Sequence, residues 1–123
     1  MNQPDPTDVL DEETVQMLRT LRRTDEPCLF RELTASYLGE ENPRLESIGL
    51  LLARRDAGLA HAVHSFGGNA ATLGGFEVRR TANELEAHVI AGRWGEADTK
   101  WRELNDACGR LRLAIHLQNG SNS

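Results

Sequence analysis

Residues 94–117 read WGEADTKWRELNDACGRLRLAIHL and carry the most regular apolar pattern of the chain. Apolar residues recur here at intervals of three and four, which is the spacing of one face of an α-helix. The inward positions are Trp94, Ala97, Trp101, Leu104, Cys108, Leu111 and Ile115. The stretch therefore predicts a long amphipathic helix whose apolar face, including both tryptophans, packs against the rest of the protein.

The same spacing continues upstream and predicts four further helices. They cover 11–21, 26–55, 57–73 and 75–91. Asp11 and Asp56 are placed to cap the first and third of these helices, and Gly92 is placed to end the fourth. Pro43 predicts a kink or a break in the second helix, near 40–43.

The connections between the long segments are short, so consecutive long helices are expected to be antiparallel neighbours. No segment alternates apolar and polar residues with a period of two, so no strand is expected. We therefore expect an all-α fold, an up-down antiparallel four-helix bundle with a short extra N-terminal helix. The helical bundle is expected over 8–117, and the polar ends, 1–7 and 118–123, are expected to be disordered tails.

Size and composition limit the classes of function. With 123 residues the chain is expected to form one domain with its own core. The formal net charge of -5 argues against nucleic-acid binding, which needs a basic face. Cys28 and Cys108 have no metal-ligand spacing and are interpreted as reduced core thiols. No signal peptide or membrane-length apolar run is found, so we expect a cytoplasmic protein with no membrane partner.

Residues 61–75 read HAVHSFGGNAATLGG and place a titratable nucleophile beside two consecutive glycines. Val63 and Phe66 take inward positions, so His64 is rotated away from the core, by about 100° from Val63. Gly67 and Gly68 each cost about 1 kcal/mol relative to alanine inside a helix. Either these glycines keep the surface beside His64 flat for a partner, or they admit a close neighbouring helix. The sequence leaves both readings open.

The same run resembles the signature of histidine-containing phosphotransfer (HPt) domains, Ala-His-x-Leu-Lys-Gly-Ser-x-x-x-Leu-Gly-Ala. The matching residues are Val63, His64, Phe66, Gly68, Asn69, Leu73, Gly74 and Gly75. The resemblance extends over about residues 10–116. It includes Asp56 before the helix that carries the histidine, and the Leu85-Glu86 pair on the next helix.

The resemblance implies that His64 accepts a phosphoryl group from the aspartyl phosphate of one receiver domain and passes it to the aspartate of a second. The chain would then be a monomeric phosphohistidine carrier of a two-component phosphorelay. It would not be a kinase, and it contains no glycine-rich nucleotide loop. It would need no cofactor or metal of its own, because the receiver holds the Mg²⁺. Its partners would be receiver domains of response regulators or of a hybrid sensor histidine kinase, and the family suggests Nε2 as the reacting nitrogen.

The docking surface that the resemblance implies is the exposed side of the third helix. Beside His64 it contains Ala60, His61, Ser65, Gly67, Gly68 and Asn69. The family usually has a lysine where this chain has Gly67, three residues after the histidine. A charge about 4 Å from a phosphoryl oxygen is worth ~1 kcal/mol in water and ~4 kcal/mol at a partly screened surface. We therefore expect altered transfer rates or phosphohistidine lifetime, which a lysine at this position should change. Arg79 and Arg80 on the next helix are candidates for a longer-range cation.

Two other functions are retained as alternatives. If the missing lysine is decisive, the chain is a receiver-binding helical module with weak or no phosphotransfer. If the resemblance is coincidental, it is a helical adaptor. A metal pair of His61 and His64, completed by His88 from the next helix, is the weakest reading, because zinc sites use three or four ligands; no metal site is expected.

Overall fold

The spacing of apolar residues by three and four forms helices throughout the described part of the chain. The structure, a computed structural model, describes residues 8–21 and 28–120. The helices are α1 (Glu12–Thr20), α2 (Leu29–Ala53), α3 (Leu59–Thr72), α4 (Phe76–Ile90) and α5 (Trp94–Gly120). No strand occurs in these residues, so the all-α class is confirmed for them. None of the five helices combines the length and apolarity that crossing a membrane requires. The tail expected at 1–7 and the second helix's expected start at 26 lie outside the described residues.

The predicted apolar stripes form the core. In α3 the residues that are at most 1% exposed are Leu59, Val63, Phe66 and Ala70. In α5 the fully buried residues include Ala97, Leu104, Cys108, Leu111 and Ile115. The two tryptophans, Trp94 and Trp101, pack against this core and are half-buried. α3 contacts α2 and α4, and α5 contacts α4 and α2. The face of α3 that contains His61, His64 and Gly68 is exposed.

The segment before α1 is hydrogen-bonded to the turn between α3 and α4. Asp11 caps α1 as predicted, since its carboxylate accepts from the backbone N–H of Thr14 at 2.9 Å. The backbone N–H of Asp11 donates to the Gly74 carbonyl at 2.8 Å, and that of Glu77 donates to the Asp8 carbonyl at 2.7 Å. Gly74 has a φ of +94°, and a Cβ there would lie 3.0 Å from the Thr14 Cβ, so this turn requires glycine. These contacts hold the turn that sets α3 against α4.

One local prediction is wrong. Asp56 does not cap α3, because α3 begins after Gly58 and the Asp56 carboxylate accepts from the Gly58 backbone N–H at 2.7 Å in the preceding turn. Of the kink or break predicted near 40–43, the break is absent, because α2 is continuous through Pro43. Pro43 cannot donate to the carbonyl of Gly39, but Gly39 is exposed, so water can take that bond.

Helix α5 continues beyond the predicted end of the bundle at Leu117. Residues 118–120 are helical, so the expected tail is wrong there, while 121–123 lie outside the described residues. Arg19 donates to the Gln118 carbonyl at 2.9 Å, and Arg31 donates to the Asn119 carbonyl at 2.9 Å. These guanidinium groups bind carbonyls that lack a helical partner at the end of α5, which stabilises its last turn.

Cys108 offers a test of the core. It is a free thiol, fully buried, and burial followed by the charge of Glu41 raises its pKa to about 12. In a Cys28→Ser variant we expect iodoacetamide at about pH 8 to modify Cys108 only on unfolding, because the folded thiol is shielded and almost never ionised. Reaction at equal rates in the native state and in urea would contradict this burial.

The raised pKa of Cys108 also predicts a pH dependence of stability. The unfolded thiol ionises near its ordinary pKa of 9.0, whereas the folded thiol keeps its proton until about pH 12. The contribution of this group to the free energy of unfolding is therefore present below pH 9.0 and decreases as pH rises towards 12.

Candidate functional site

His64 lies in the middle of α3, and its side chain is 67% exposed. The helical phase causes this exposure, because Val63 and Phe66 on either side of it in sequence are 0% and 1% exposed. The ring therefore stands in solvent, as the sequence predicts. The expected neighbours that are also exposed are His61, Ser65, Gly68 and Asn69, while Ala60 is half-buried.

Glu86 of α4 is the hydrogen-bond partner of His64. Its Oε1 lies 3.0 Å from the imidazole Nδ1, and its side chain is 23% exposed. A carboxylate can only accept a hydrogen bond, so Nδ1 donates to Glu86, and in the neutral ring Nε2 then carries the lone pair. The neutral ring thus presents a solvent-facing nitrogen that can act as a nucleophile, and the negative charge of Glu86 would stabilise an imidazolium formed by reaction at Nε2. The exposed Ser65 shows no such base partner among the described residues.

Gly67 and Gly68 have different roles. Gly67 is buried, and a Cβ on it would lie 2.9 Å from the Cβ of Ala82 on α4. It therefore permits the close approach of the two helices, and its expected place on the docking surface is wrong. Gly68 is exposed, and a Cβ on it would meet no atom within 4 Å. Each of the two sequence readings thus holds for one glycine: close packing for Gly67 and an open surface for Gly68.

An open groove of about 400 Å³ lies between α3 and α4 beside His64. It is lined by His64, Gly68, Ala71 and Thr72 of α3 and by Arg79 and Asn83 of α4. No carboxylate of the described residues lines it. Arg79 is exposed and makes no ion pair within residues 8–21 and 28–120.

Arg80, the second cation suggested by the sequence, is directed elsewhere. Its guanidinium pairs with Glu84 at 3.1 Å, and Glu84 also pairs with Lys100 of α5 at 2.9 Å. Lys100 and then Arg80 hold the pKa of the Glu84 carboxyl below its usual range. Of the two candidate arginines, only Arg79 lines the groove at His64.

Asn69 lies away from this groove. It lines a separate hollow of about 150 Å³ between α2 and α3, together with Ser36, Glu40 and Arg44 of α2. Thr72 borders both depressions. The residues expected around His64 are therefore divided between two sides of α3.

The metal alternative finds no third ligand in the described part of the chain. No group of three or more His, Cys, Asp or Glu side chains could hold a metal ion there. His88, the third ligand considered, accepts a hydrogen bond at its Nδ1 from Arg93 at 2.9 Å.

Glu86 is the functional candidate whose role the sequence did not reveal. It is 22 positions from His64, and its approach depends on how α4 lies against α3. The available signal was its place next to the inward Leu85, at the border of the buried face of α4.

Comparison of the chain with protein-family models, curated proteins and solved structures finds no match.

Proposed function

We propose that this chain is a histidine phosphotransfer protein that relays a phosphoryl group between receiver-domain aspartates through His64. The observation that carries the proposal is the exposed imidazole, whose Nδ1 is bound to Glu86 and whose Nε2 has no partner among the described residues. In the forward step the Nε2 lone pair forms a bond to phosphorus, the bond from phosphorus to the aspartyl oxygen breaks, and the carboxylate leaves. The reverse step loads the aspartate of a second receiver, whose Mg²⁺ stabilises the charge on the transferring group.

The up-down four-helix arrangement is part of this proposal. It is supported by the order of contacts, in which α2 meets α3, α3 meets α4, α4 meets α5, and α5 meets α2. Such a closed ring with short turns is typical of an antiparallel bundle. α1 packs on α2 as the additional helix. A cytoplasmic location is supported by the free thiols of Cys28 and Cys108.

The direct test is transfer from a receiver. A panel of receiver domains from the source organism, each carrying labelled aspartyl phosphate with Mg²⁺, is mixed with the chain. We expect label to appear on the chain within minutes, and to be labile in acid and stable in base, as expected of a phosphoramidate. Label on the chain that survives acid, or no label from any receiver, would contradict the relay.

Glu86 should set the tautomer of His64. In Glu86→Ala we expect the Nδ1-protonated form, visible in ¹⁵N NMR of the ring, to lose its excess over the Nε2-protonated form. Transfer should slow by about 10- to 100-fold, the equivalent of one charge-assisted hydrogen bond of ~1.5–3 kcal/mol. Glu84→Ala, which removes a carboxylate from the same helix, should keep both the tautomer and the rate. An unchanged tautomer in Glu86→Ala would contradict the orienting role.

A second candidate function is receiver binding with little or no transfer. The burial of Gly67 favours it, because the family's lysine is missing and α4 occupies the space it would need. This function predicts that a receiver binds the chain, for example in calorimetry, while its phosphoryl group stays on aspartate. Binding with label on the chain selects the relay instead.

A further inference from the structure

We infer that the groove between α3 and α4 binds the phosphoryl group carried by His64, and that Arg79 is the cation that binds it. The inference rests on the proposed function, because the relay supplies the group to be bound. The cation at the site would then come from α4, whereas the family motif places a lysine on the same helix as the histidine.

The first step concerns the space at Gly67. A side chain there would begin 2.9 Å from the Ala82 Cβ and 3.6 Å from the Arg79 backbone. A lysine at this position would have to separate α3 from α4. A cation for the site must therefore come from another position, on a helix that borders the imidazole.

The second step concerns Arg79 itself. Arg79 lines the same groove as His64, is exposed, and is engaged by no carboxylate in the described segments. A guanidinium presents paired N–H donors that fit two oxygens of a phosphoryl group. Glu86 lies seven residues further along α4, about 10 Å along the helix axis, and its hydrogen bond is to Nδ1. The anionic Glu86 and the cationic Arg79 therefore lie on different turns of α4.

The third step concerns the groove lining. Besides Arg79 it is lined by Asn83, and no acidic residue of the described part of the chain lines it. This local composition contrasts with the chain's formal net charge of -5. The exposed Gly68, which also lines the groove, adds no side chain to it. An anionic phosphoryl group therefore meets an unpaired cation and neutral donors here.

The test uses phosphoramidate, a small donor that needs no receiver. The Nε2 lone pair forms the new bond to phosphorus, the original nitrogen–phosphorus bond breaks, and ammonia leaves. The second-order rate of this reaction is followed by ³¹P NMR in wild type, Arg79→Gln, Arg79→Lys and Arg80→Gln. Arg80→Gln is the matched control, because it loses the same charge one residue away, where the arginine pairs with Glu84.

We expect Arg79→Gln to lower the rate by about tenfold at low salt and to weaken its salt dependence. Arg79→Lys should restore part of the rate, and Arg80→Gln should stay within about twofold of wild type. Equal rates in Arg79→Gln and Arg80→Gln would overturn the inference. So would a wild-type chain that phosphoramidate does not modify at His64.

The inference and the relay can fail separately. Transfer from receivers that is normal in wild type, with no effect of Arg79→Gln in either assay, overturns the inference and leaves the relay. An effect of Arg79→Gln with phosphoramidate, together with no transfer from any receiver, overturns the relay and leaves the anion site.

Discussion

Replacing His64 by glutamine should abolish phosphoryl label on the chain, whether the donor is a receiver or phosphoramidate. Glutamine has no nitrogen lone pair able to attack phosphorus, so no residual transfer is expected. Because the side chain is 67% exposed, the free energy of unfolding should change by less than about 0.5 kcal/mol. Loss of label in a folded variant would therefore report on chemistry rather than on structure.

His61→Gln is the matched control for this result. His61 is also exposed on α3, one helical turn before His64, and is not hydrogen-bonded to a side chain in the described residues. This variant should carry label at the wild-type level. If label persisted in His64→Gln and vanished in His61→Gln, the acceptor would be His61. The proposal that His64, held by Glu86, accepts the phosphoryl group would then be wrong.

Replacing Gly67 by lysine should destabilise the protein, by about 3 kcal/mol in urea unfolding. The new Cβ would lie 2.9 Å from the Ala82 Cβ, and overpacking at a helix contact typically costs ~1–3 kcal/mol before the lysine charge is considered. The sequence alone suggested that a lysine here would only change phosphohistidine lifetime. The burial of Gly67 means that any such change would be measured in a weakened fold.

Gly68→Lys separates the packing effect from the general effect of removing a glycine. Nothing lies within 4 Å of a Cβ at this position, so the substitution should stabilise the helix by about 0.5–1 kcal/mol. Equal stabilities of the two lysine variants would show that α4 does not approach α3 at Gly67. The same Gly68 variant should weaken receiver docking if the open surface beside His64 is used.

The fold class was predictable because the spacing of apolar residues along the sequence determines which face of each helix is buried. The positions of Val63 and Phe66 in one stripe were enough to place His64 in solvent. Helix ends were less predictable. Asp56 is a residue type that caps helices, yet its carboxylate accepts a hydrogen bond from the Gly58 backbone N–H in the turn before α3. α5 extends to Gly120 because arginines from α1 and α2 bind its last carbonyls.

The candidate site was only half predictable. His64 and the glycine pair could be found within one helix, whereas Glu86 reaches the imidazole, and Arg79 the groove beside it, only through the packing of α4 on α3. The division between Gly67 and Gly68 has the same origin. Their residue type is identical, and one step of helical rotation decides which of them meets a neighbouring backbone.

The hydrogen bonds that join Asp11 to Gly74 and Asp8 to Glu77 have a practical consequence for protein engineering. They hold the helical hairpin of α3, which carries His64, and α4, which carries its partner Glu86. A fusion junction placed upstream of Asp8 keeps both hydrogen bonds, whereas a junction between Asp8 and Asp11 would remove the one that Glu77 donates to the Asp8 carbonyl. The junction chosen for a biosensor or a fusion protein therefore affects the support of the helix that carries His64, although the junction does not contact the imidazole.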